Sequence, residues 1–155
     1  MASVYVETSI FGALVDDRTY LVSRYQRELS RAWWGRKSRF SLFCSLVVVA
    51  ELRQGAYRGQ GMAIRLAEHL PMLPVTDAVA GVAEVYRRHL AMPSRDIADS
   101  LHLAVATVHC LDFLVTWNCR HLANANKIGR IERLNARLGL LTPRIVTPPM
   151  LLQEL

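Results

Sequence analysis

The sequence predicts an α/β fold, a three-layer domain in which helices flank a parallel sheet. Short runs rich in β-branched residues alternate along the chain with longer segments of helical periodicity, which is typical of parallel sheets covered by helices. A length of 155 residues suits one domain, since domains usually contain roughly 100–200 residues. No Pro-, Gly- or Ser-rich linker and no repeat divides the chain, so we expect a single domain over residues 1–155.

Five segments have the composition of strands. Ser3–Val6 has the sequence SVYV and ends at Glu7, and Phe40–Cys44 alternates in the manner of a strand. Asp112–Trp117 contains a continuous apolar run that is typical of a buried parallel strand. The remaining two segments are Pro71–Val75 and Pro143–Pro149, of which the second resembles an edge strand.

A long amphipathic segment, Thr19–Lys37, predicts a helix near the amino terminus. Its apolar residues recur on one side, at Leu21, Tyr25, Leu29 and Trp33. This side is predicted to pack in the core or to form a docking or dimer surface, and both interpretations stay open.

The remaining helical segments alternate with the strands. Leu46–Gly55 is too short and apolar for its period to decide between strand and helix, but Glu51–Gln54 and the terminal Gly55 favour a helix. The other predicted helices are Met62–Leu70, Asp77–Leu90, a helix that starts at Ser94–Asp96 and runs to about His109, and the basic segment Ala123–Leu138.

The composition favours a polyanionic partner without requiring one. Nineteen Lys and Arg residues against 13 Asp and Glu leave a formal charge of +6 and a pI near 9.7, a balance that solubility alone also explains. No span approaches the roughly 20 apolar residues that cross a bilayer, and Glu7 interrupts the apolar run that a signal peptide needs. Three cysteines without C-x-x-C spacing argue against a disulfide framework or a zinc ribbon. We therefore expect a soluble, reduced, cytoplasmic protein.

Common catalytic and cofactor motifs are absent from the sequence. Neither G-x-x-x-x-G-K-[ST] nor G-x-G-x-x-G occurs, which excludes the common nucleotide-cofactor folds, and no G-x-S-x-G motif supports a serine hydrolase. His102 and His109 share a helix face with Asp99, but no H-E-x-x-H or comparable metal spacing appears. Both histidines are therefore interpreted as structural.

Four polar residues stand at or near the predicted ends of strands. They are Glu7 after the first strand, Glu51 after an apolar run, Asp99 in the first turn of a helix and Asn118 after Asp112–Trp117. Ligands of parallel sheets bind beyond the carboxyl ends of the strands, so these side chains could converge at one edge. Gathered carboxylates repel one another unless a divalent cation neutralises them, and such oxygen ligands suit Mg²⁺ or Mn²⁺. A cation held in this way would activate water and stabilise the leaving oxygen of a phosphodiester.

Each of these acids also has an ordinary structural interpretation. Glu7 could be an exposed loop residue or a helix cap, and Glu51 could pair with Arg53 or another exposed basic residue. Asp96 is interpreted as the cap of its helix, and Asp99 would favour the positive end of the same helix dipole. Asp99 is harder to explain in this way, because it opens the most apolar helix of the chain.

Several segments form a recognisable set: VYVETSI (Val4–Ile10), SLVVVAEL (Ser45–Leu52), ADSLHLAVATVHCLDFLVTWN (Ala98–Asn118), TWNCRHLAN (Thr116–Asn124) and the pair Trp33-Trp34. Together they resemble a PIN domain, specifically the VapC-like toxin group, over nearly the whole chain. The resemblance implies a parallel sheet of about five strands flanked by helices. It also implies a Mg²⁺- or Mn²⁺-dependent endoribonuclease, a hydrolase that acts as the toxin of a type II toxin–antitoxin pair.

The resemblance carries specific roles to residues of this chain. Glu7, Glu51 and Asp99 match the first three acidic positions, and Thr8 matches the hydroxyl position beside the first. Glu7 replaces the commoner Asp, and Asn118 replaces the usual fourth Asp, which keeps an oxygen ligand but removes a charge. Glu7, Glu51, Asp99 and Asn118 are thus expected to bind the metal and to form the catalytic set. Without substrate, three carboxylates should hold one divalent ion well and a second one poorly.

The same resemblance implies RNA as the substrate. Arg120 would neutralise a phosphate oxygen, although a surface salt bridge explains it equally, and Thr8 would bond a carboxylate or the phosphate. Basic groups along residues 24–39 and 127–137 would attract the RNA backbone. The expected partners are a small antitoxin that covers the site and a second copy of the chain.

Two rival hypotheses stay open. The altered residues at positions 7 and 118 fit a PIN-like module that binds RNA or a protein but has weakened or lost catalysis. A small phosphohydrolase on a similar sheet is the other rival, and its weakness is the absence of any nucleophile motif.

Overall fold

The computed structural model describes residues 1–89 and 97–153 of the chain. The predicted helix end at Leu90 and the predicted helix start at Ser94–Asp96, with Asp96 as its cap, lie outside these residues. The elements in chain order are β1 (Ser3–Val6), α1 (Thr8–Val15), α2 (Leu21–Trp34), a 3-10 turn (Lys37–Arg39), β2 (Ser41–Phe43), α3 (Leu46–Leu52), α4 (Gln60–Glu68), α5 (Asp77–His89), α6 (Ile97–Val108), β3 (Phe113–Val115), α7 (Ala125–Leu138), β4 (Arg144–Val146) and α8 (Pro148–Gln153).

The described residues form a parallel sheet of four strands in the order β2-β1-β3-β4. Tyr5 of β1 pairs with Phe43 of β2 and with Leu114 of β3, and Leu114 in turn pairs with Ile145 of β4. Helices connect the successive strands, as parallel pairing requires, so the predicted α/β class is confirmed. Because all strands run in the same direction, their carboxyl ends lie at one edge of the sheet.

The sheet has one strand fewer than the five expected, because Pro71–Val75 does not form a ladder. This segment contributes a single parallel bridge, between Met72 and Cys44. The bridge consists of Cys44 N donating to Pro71 O (2.9 Å) and Leu73 N donating to Cys44 O (2.8 Å). The pairing stops there because the partner segment turns into α3 at Leu46, directly after Ser45, so β2 offers no further strand residue to pair with.

The helices lie where periodicity predicts them, with two additions. The ambiguous segment Leu46–Gly55 contains helix α3, since Val48, Val49 and Leu52 bury one of its sides. Helices α1 and α8 were not expected; α1 has no continuous polar face for periodicity to detect, because it buries Ile10, Phe11, Ala13 and Leu14. Among the helices of residues 1–89 and 97–153, none is long and apolar enough to span a bilayer.

The apolar side of α2 is divided between the core and the surface. Trp33 is fully buried and packs against Phe40, with ring centroids 6.1 Å apart. Leu21 and Tyr25, at the other end of the helix, are 82% and 54% exposed. Core packing therefore explains one end of this side, and a docking or dimer surface remains a prediction for the other.

Leu114→Ala should destabilise the protein by about 2–5 kcal/mol, because it opens a cavity at the centre of the sheet. Leu114 is fully buried in β3, between β1 and β4. Urea unfolding followed by circular dichroism measures the change in the free energy of unfolding. Leu141→Ala is the matched control, since that side chain is 81% exposed. A loss no larger than that of the control would contradict the placement of Leu114 in the core.

Candidate metal centre

The topology brings the four predicted site residues to the carboxyl edge of the sheet. Glu7 directly follows β1, and its backbone N–H donates to the carbonyl of Val115 at the end of β3 (3.1 Å). Asn118 follows β3 by three residues. Asp99 lies in the first turn of α6, and Glu51 lies in the last turn of α3. Elements far apart in sequence therefore each deliver one polar side chain to this edge.

The two carboxylate oxygens of Glu7 have different surroundings. Oε2 accepts hydrogen bonds from Ser9 N (3.0 Å), Ser9 Oγ (2.5 Å) and Thr116 Oγ1 (2.7 Å). Oε1 instead lies 3.9 Å from His102 Nε2. Glu7 is therefore the cap of α1, which is one of the two structural interpretations predicted for it. The other, an exposed loop residue, is wrong, because Glu7 is only 4% exposed. Its extra methylene lets one oxygen reach back to α1 while the other is directed to His102.

Glu51 is held by side chains from α1 and α6. Thr8 Oγ1 donates to Glu51 Oε1 (2.5 Å), and His102 Nε2 lies 2.5 Å from the same oxygen. The predicted alternative, a pair between Glu51 and Arg53, is not formed, since Arg53 bonds Glu68 on α4 (3.0 Å). Thr8 thus bonds a carboxylate, which is one of the two roles expected for it.

Asp99 and Asn118 are joined to each other beside this cluster. Asn118 Nδ2 donates to Asp99 Oδ1 (3.1 Å), while Asn118 Oδ1 accepts from the backbone N–H of His121 (3.0 Å). Asp99 is only 8% exposed. In this arrangement Asn118 supports Asp99 through its amide nitrogen, and its oxygen stabilises the turn that follows β3.

Burial and neighbouring negative charge together raise the pKa of Asp99. Burial, and then the negative charge of Glu7, raises this pKa from its ordinary value of 3.8 to about 6. His102, His121 and the hydrogen bond from Asn118 act in the opposite direction without cancelling the rise. Like charges that are close together and poorly solvated disfavour ionisation, and a divalent cation would reverse that effect.

Glu51 and His102 shift each other's pKa in the directions expected of a buried pair. Burial opposes the ionisation of Glu51, but hydrogen bonds from His102 and Thr8 outweigh it and lower the pKa of this carboxyl. Burial likewise lowers the pKa of His102, but the hydrogen bond to Glu51 and the charge of Glu7 outweigh it and raise the pKa of the imidazole. Glu51 is therefore held in its ionised form, in which both of its oxygens can accept.

The donor atoms fit a divalent cation. One ligand atom each of Glu7, Glu51 and His102 lies within 4.8 Å of the other two. The side chain of Glu51 is 29% exposed, so this cluster can be reached from the solvent. Carboxylates suit Mg²⁺ and Mn²⁺, and an imidazole nitrogen is better tolerated by transition metals. Glu7 and Glu51 are thus able to hold either ion through their oxygens, whereas the predicted ligands Asp99 and Asn118 are not among these three residues.

Sequence reasoning missed the place of His102 in this cluster. The available signal was its position one turn after Asp99 on α6, which puts both side chains on one helix face. His109 has the structural role predicted for it, since its Nε2 lies 2.8 Å from the carbonyl oxygen of Pro74. Two histidines with the same sequence interpretation therefore have different environments.

Arg120 is exposed in the turn after β3, two residues beyond Asn118. It forms no ion pair with a carboxylate of the described residues, so the surface salt bridge that sequence reasoning allowed is not present there. A role toward phosphate remains a prediction. A cavity of about 500 Å³ begins at Ser9, whose hydroxyl bonds Glu7, and its lining includes Tyr57 and the ion pairs Asp16–Arg18 and Asp17–Arg58.

Comparisons with known proteins identify a family model and solved structures that resemble this chain. A family model described as PIN domain matches residues 4–128. One similar solved structure is VapBC-5, a member of the VapBC family of toxin–antitoxin systems from Mycobacterium tuberculosis, with 25% identity, a TM-score of 0.48 and coverage of 76% of this chain and 86% of that chain. Another is VapBC2 from Rickettsia felis bound to a DNA fragment from their promoter, with 12% identity, a TM-score of 0.55 and coverage of 94% and 98%, a likeness of fold. No curated protein matches the chain.

Asp99→Asn should stabilise the metal-free protein at neutral pH. The pKa of Asp99 in the folded state, about 6, lies above its ordinary 3.8, so the folded state loses stability as pH rises from 3.8 through 6. The loss reaches at most about 3 kcal/mol, at about 1.4 kcal/mol for each unit of pKa. Asparagine removes the charge and keeps an oxygen for the hydrogen bond from Asn118.

Thermal unfolding in the presence of a chelator measures this effect at pH 4 and at pH 7.5. We expect a higher melting temperature for the variant at pH 7.5 and a much smaller difference at pH 4, where the folded forms of both proteins are uncharged at this position. An equal effect at the two pH values would contradict the raised pKa of Asp99.

Proposed function

Since the chain belongs to the PIN domain family, whose members are generally nucleases, we propose that it is a metal-dependent ribonuclease that hydrolyses RNA phosphodiester bonds. The main support is the group of buried acids at the carboxyl edge of the sheet. Asp99 resists ionisation there because it is buried and close to the charge of Glu7. A site that folds with this penalty is suited to bind a divalent cation, and phosphodiester hydrolysis uses such a cation.

The proposed cofactor is Mg²⁺ or Mn²⁺. Glu7, Glu51 and Asp99 would hold it through carboxylate oxygens, and Asn118 would contribute directly or through a water molecule. When bound, a divalent cation supplies an acidified water and a positive charge for the leaving oxygen.

The side chains of this protein would orient the reacting groups. Glu51 would orient the attacking water, and Thr8 keeps Glu51 in place through its hydrogen bond. Asn118 keeps Asp99 in place in the same way. Arg120 would neutralise a non-bridging phosphate oxygen, since a guanidinium is a planar donor that fits a phosphate.

RNA would be attracted by basic residues on two segments of the surface. The exposed ones include Arg24, Arg31, Lys37 and Arg39 on residues 24–39, and Arg130, Arg133 and Arg137 on residues 127–137. Contacts of this kind recognise the phosphate backbone independently of sequence and weaken as salt increases.

The VapC-like segments of the sequence support a toxin of a toxin–antitoxin pair that acts in the cytoplasm. Its proposed partners are a small antitoxin that covers the acids and a second copy of the chain. Both similar solved structures are of VapBC toxin–antitoxin systems, one of them bound to promoter DNA. The exposed end of α2, at Tyr20, Leu21, Val22 and Tyr25, offers an apolar surface to either partner.

The second candidate function is a PIN-fold module that binds RNA or a protein with weakened or lost catalysis. The observation that favours it is the orientation of Asn118, which directs its amide nitrogen rather than its oxygen to Asp99. A Mn²⁺ titration with a fluorogenic RNA separates the two functions. Turnover that depends on Mn²⁺ supports the ribonuclease, whereas RNA affinity without turnover supports the module.

Asp99→Asn should lower Mn²⁺-dependent cleavage by at least about 100-fold, the size typical of removing one electrostatic group from an active site. Glu51→Gln should have a similar effect. The matched controls are Asp77→Asn, an exposed acid in the first turn of α5, and Glu68→Gln, an exposed acid of α4. Initial rates on a fluorogenic RNA give the comparison, and circular dichroism verifies folding. Cleavage by the Asp99 variant at the rate of its control would rule out the proposed role.

The chain without RNA should bind one Mn²⁺ ion tightly. Only three of the four candidate residues carry a carboxylate, and Asn118 uses its oxygen for the backbone of His121. A second cation would therefore lack charged ligands until a phosphate is present. Isothermal titration calorimetry of the full chain gives the stoichiometry, and two tight sites would overturn this expectation.

A further inference from the structure

A continuous set of buried hydrogen bonds connects the interior of the protein to Glu51. Ser45 Oγ lies 2.7 Å from Tyr5 Oη, Tyr5 Oη lies 2.7 Å from His102 Nδ1, and His102 Nε2 lies 2.5 Å from Glu51 Oε1. Ser45, Tyr5 and His102 are all fully buried. They belong to the start of α3, to β1 and to α6, and we refer to these three residues as the His102 column.

The direction of the last hydrogen bond follows from the chemistry of Glu51. An ionised carboxylate can only accept, so His102 Nε2 carries a hydrogen and donates it. This holds whether the imidazole is neutral or protonated. Only the role of Tyr5 changes, because its hydroxyl donates to Nδ1 of a neutral ring and accepts from Nδ1 of a protonated one.

The Ser45 hydroxyl, at the inner end of the His102 column, does not cap helix α3. Ser45 is the residue before α3, the place where a serine side chain usually accepts from the backbone of the helix, yet its hydroxyl makes no such bond. It is instead 2.7 Å from Tyr5. A helix cap typically contributes about 1 kcal/mol, and α3 forgoes it in favour of the hydrogen bond with Tyr5.

Burying the polar side chains of Ser45, Tyr5 and His102 also carries a desolvation cost that apolar side chains would not. Apolar side chains of similar volume would pack there without hydrogen bonds, and such replacements are often neutral or stabilising. The functional contact of this set is its last one, in which His102 Nε2 fixes Oε1 of Glu51. Glu51 is partly exposed, and without this contact its carboxylate would have more freedom.

The same geometry argues against His102 as a direct ligand of the cation. A ligand nitrogen needs a free lone pair, but Nε2 carries the hydrogen that is donated to Glu51, and Nδ1 is occupied by Tyr5. Ligation would require His102 to leave Glu51 and to change its tautomer. Carboxylates that bind metals are commonly fixed by a hydrogen bond of the kind seen here.

We propose that the His102 column is a positioning device that fixes the Glu51 carboxylate for the divalent cation, with His102 donating to Glu51 and not binding the cation itself. This inference rests on the proposed function, since it concerns the same site. Its consequence is that part of the affinity for the cation comes from residues that never touch it.

Calorimetric titration of the full, metal-free chain with Mn²⁺ tests this inference. His102→Leu should weaken Mn²⁺ binding by about 10–100-fold, the range usual for the loss of a hydrogen bond to a metal ligand. His102→Gln should recover part of the affinity, because its amide N–H can replace Nε2–H. Tyr5→Phe, which keeps His102 and its packing, should weaken binding by a smaller factor. His109→Gln is the control on the same part of the chain and should bind as the unaltered protein does.

Pulsed electron paramagnetic resonance of the Mn²⁺-loaded protein separates positioning from ligation. A positioning role predicts no coupling from a nitrogen bound directly to Mn²⁺, and such a coupling that disappears in His102→Gln would overturn the inference. Melting temperatures of the metal-free variants identify any that do not fold. If His102→Leu does not fold, His102→Gln and Tyr5→Phe decide the question, and unchanged affinity in both would overturn the inference.

The outcomes distinguish this inference from the proposed function. Mn²⁺ binding by the unaltered chain together with unchanged binding in the His102 and Tyr5 variants would overturn positioning and leave the metal site intact. Absence of Mn²⁺ binding by the unaltered chain would overturn both.

Discussion

The structure depends on one electrostatic constraint, the gathering of carboxylates at the carboxyl edge of a parallel sheet with little water to screen them. The parallel direction of β1 and β3 puts Glu7 and Asn118 at the same edge, and α3 and α6 add Glu51 and Asp99. Burial of these acids, and then repulsion between them, raises the free energy of the folded protein, in keeping with a pKa of about 6 for Asp99. The surrounding residues are arranged to limit this repulsion without removing it.

The three carboxylates are stabilised in the same way: one oxygen of each accepts hydrogen bonds from uncharged donors. Glu7 accepts from Ser9 and Thr116, Glu51 accepts from Thr8, and Asp99 accepts from Asn118. Hydrogen bonds to a charged oxygen are stronger than those between neutral groups, so they fix each side chain while leaving the net charge in place. Arginine or lysine partners would neutralise the acids, and they would also compete with a cation for them.

The positions of Glu7 and Asn118 could be predicted from topology because each follows a strand, whereas Glu51 and Asp99 lie on the helices α3 and α6. A parallel sheet has one carboxyl edge, so the residues that follow its strands lie close together whatever the details of packing. Helix α1 and the role of His102 could not be predicted in this way. The eight residues of α1 are too uniformly apolar to show a period, and the environment of His102 depends on Tyr5 from a strand far away in sequence. The segment Pro71–Val75 is the remaining difference: it forms one bridge instead of a strand, because its partner beyond Cys44 turns into α3 at Leu46.

The negative charge of Glu7, Glu51 and Asp99 also bears on whether the protein is an enzyme or only a binding module. A module that binds RNA needs positive charge at its surface, and ionised carboxylates near the bound phosphates would weaken its affinity. Asparagine at position 99 would keep the hydrogen bond with Asn118 and remove the repulsion from Glu7. The chain instead keeps Asp99, Glu7 and Glu51 at one edge of the sheet and gives each of them uncharged hydrogen-bond donors. This arrangement is unfavourable for simple RNA binding and favourable for a site that concentrates a cation, so the physical balance lies with the nuclease.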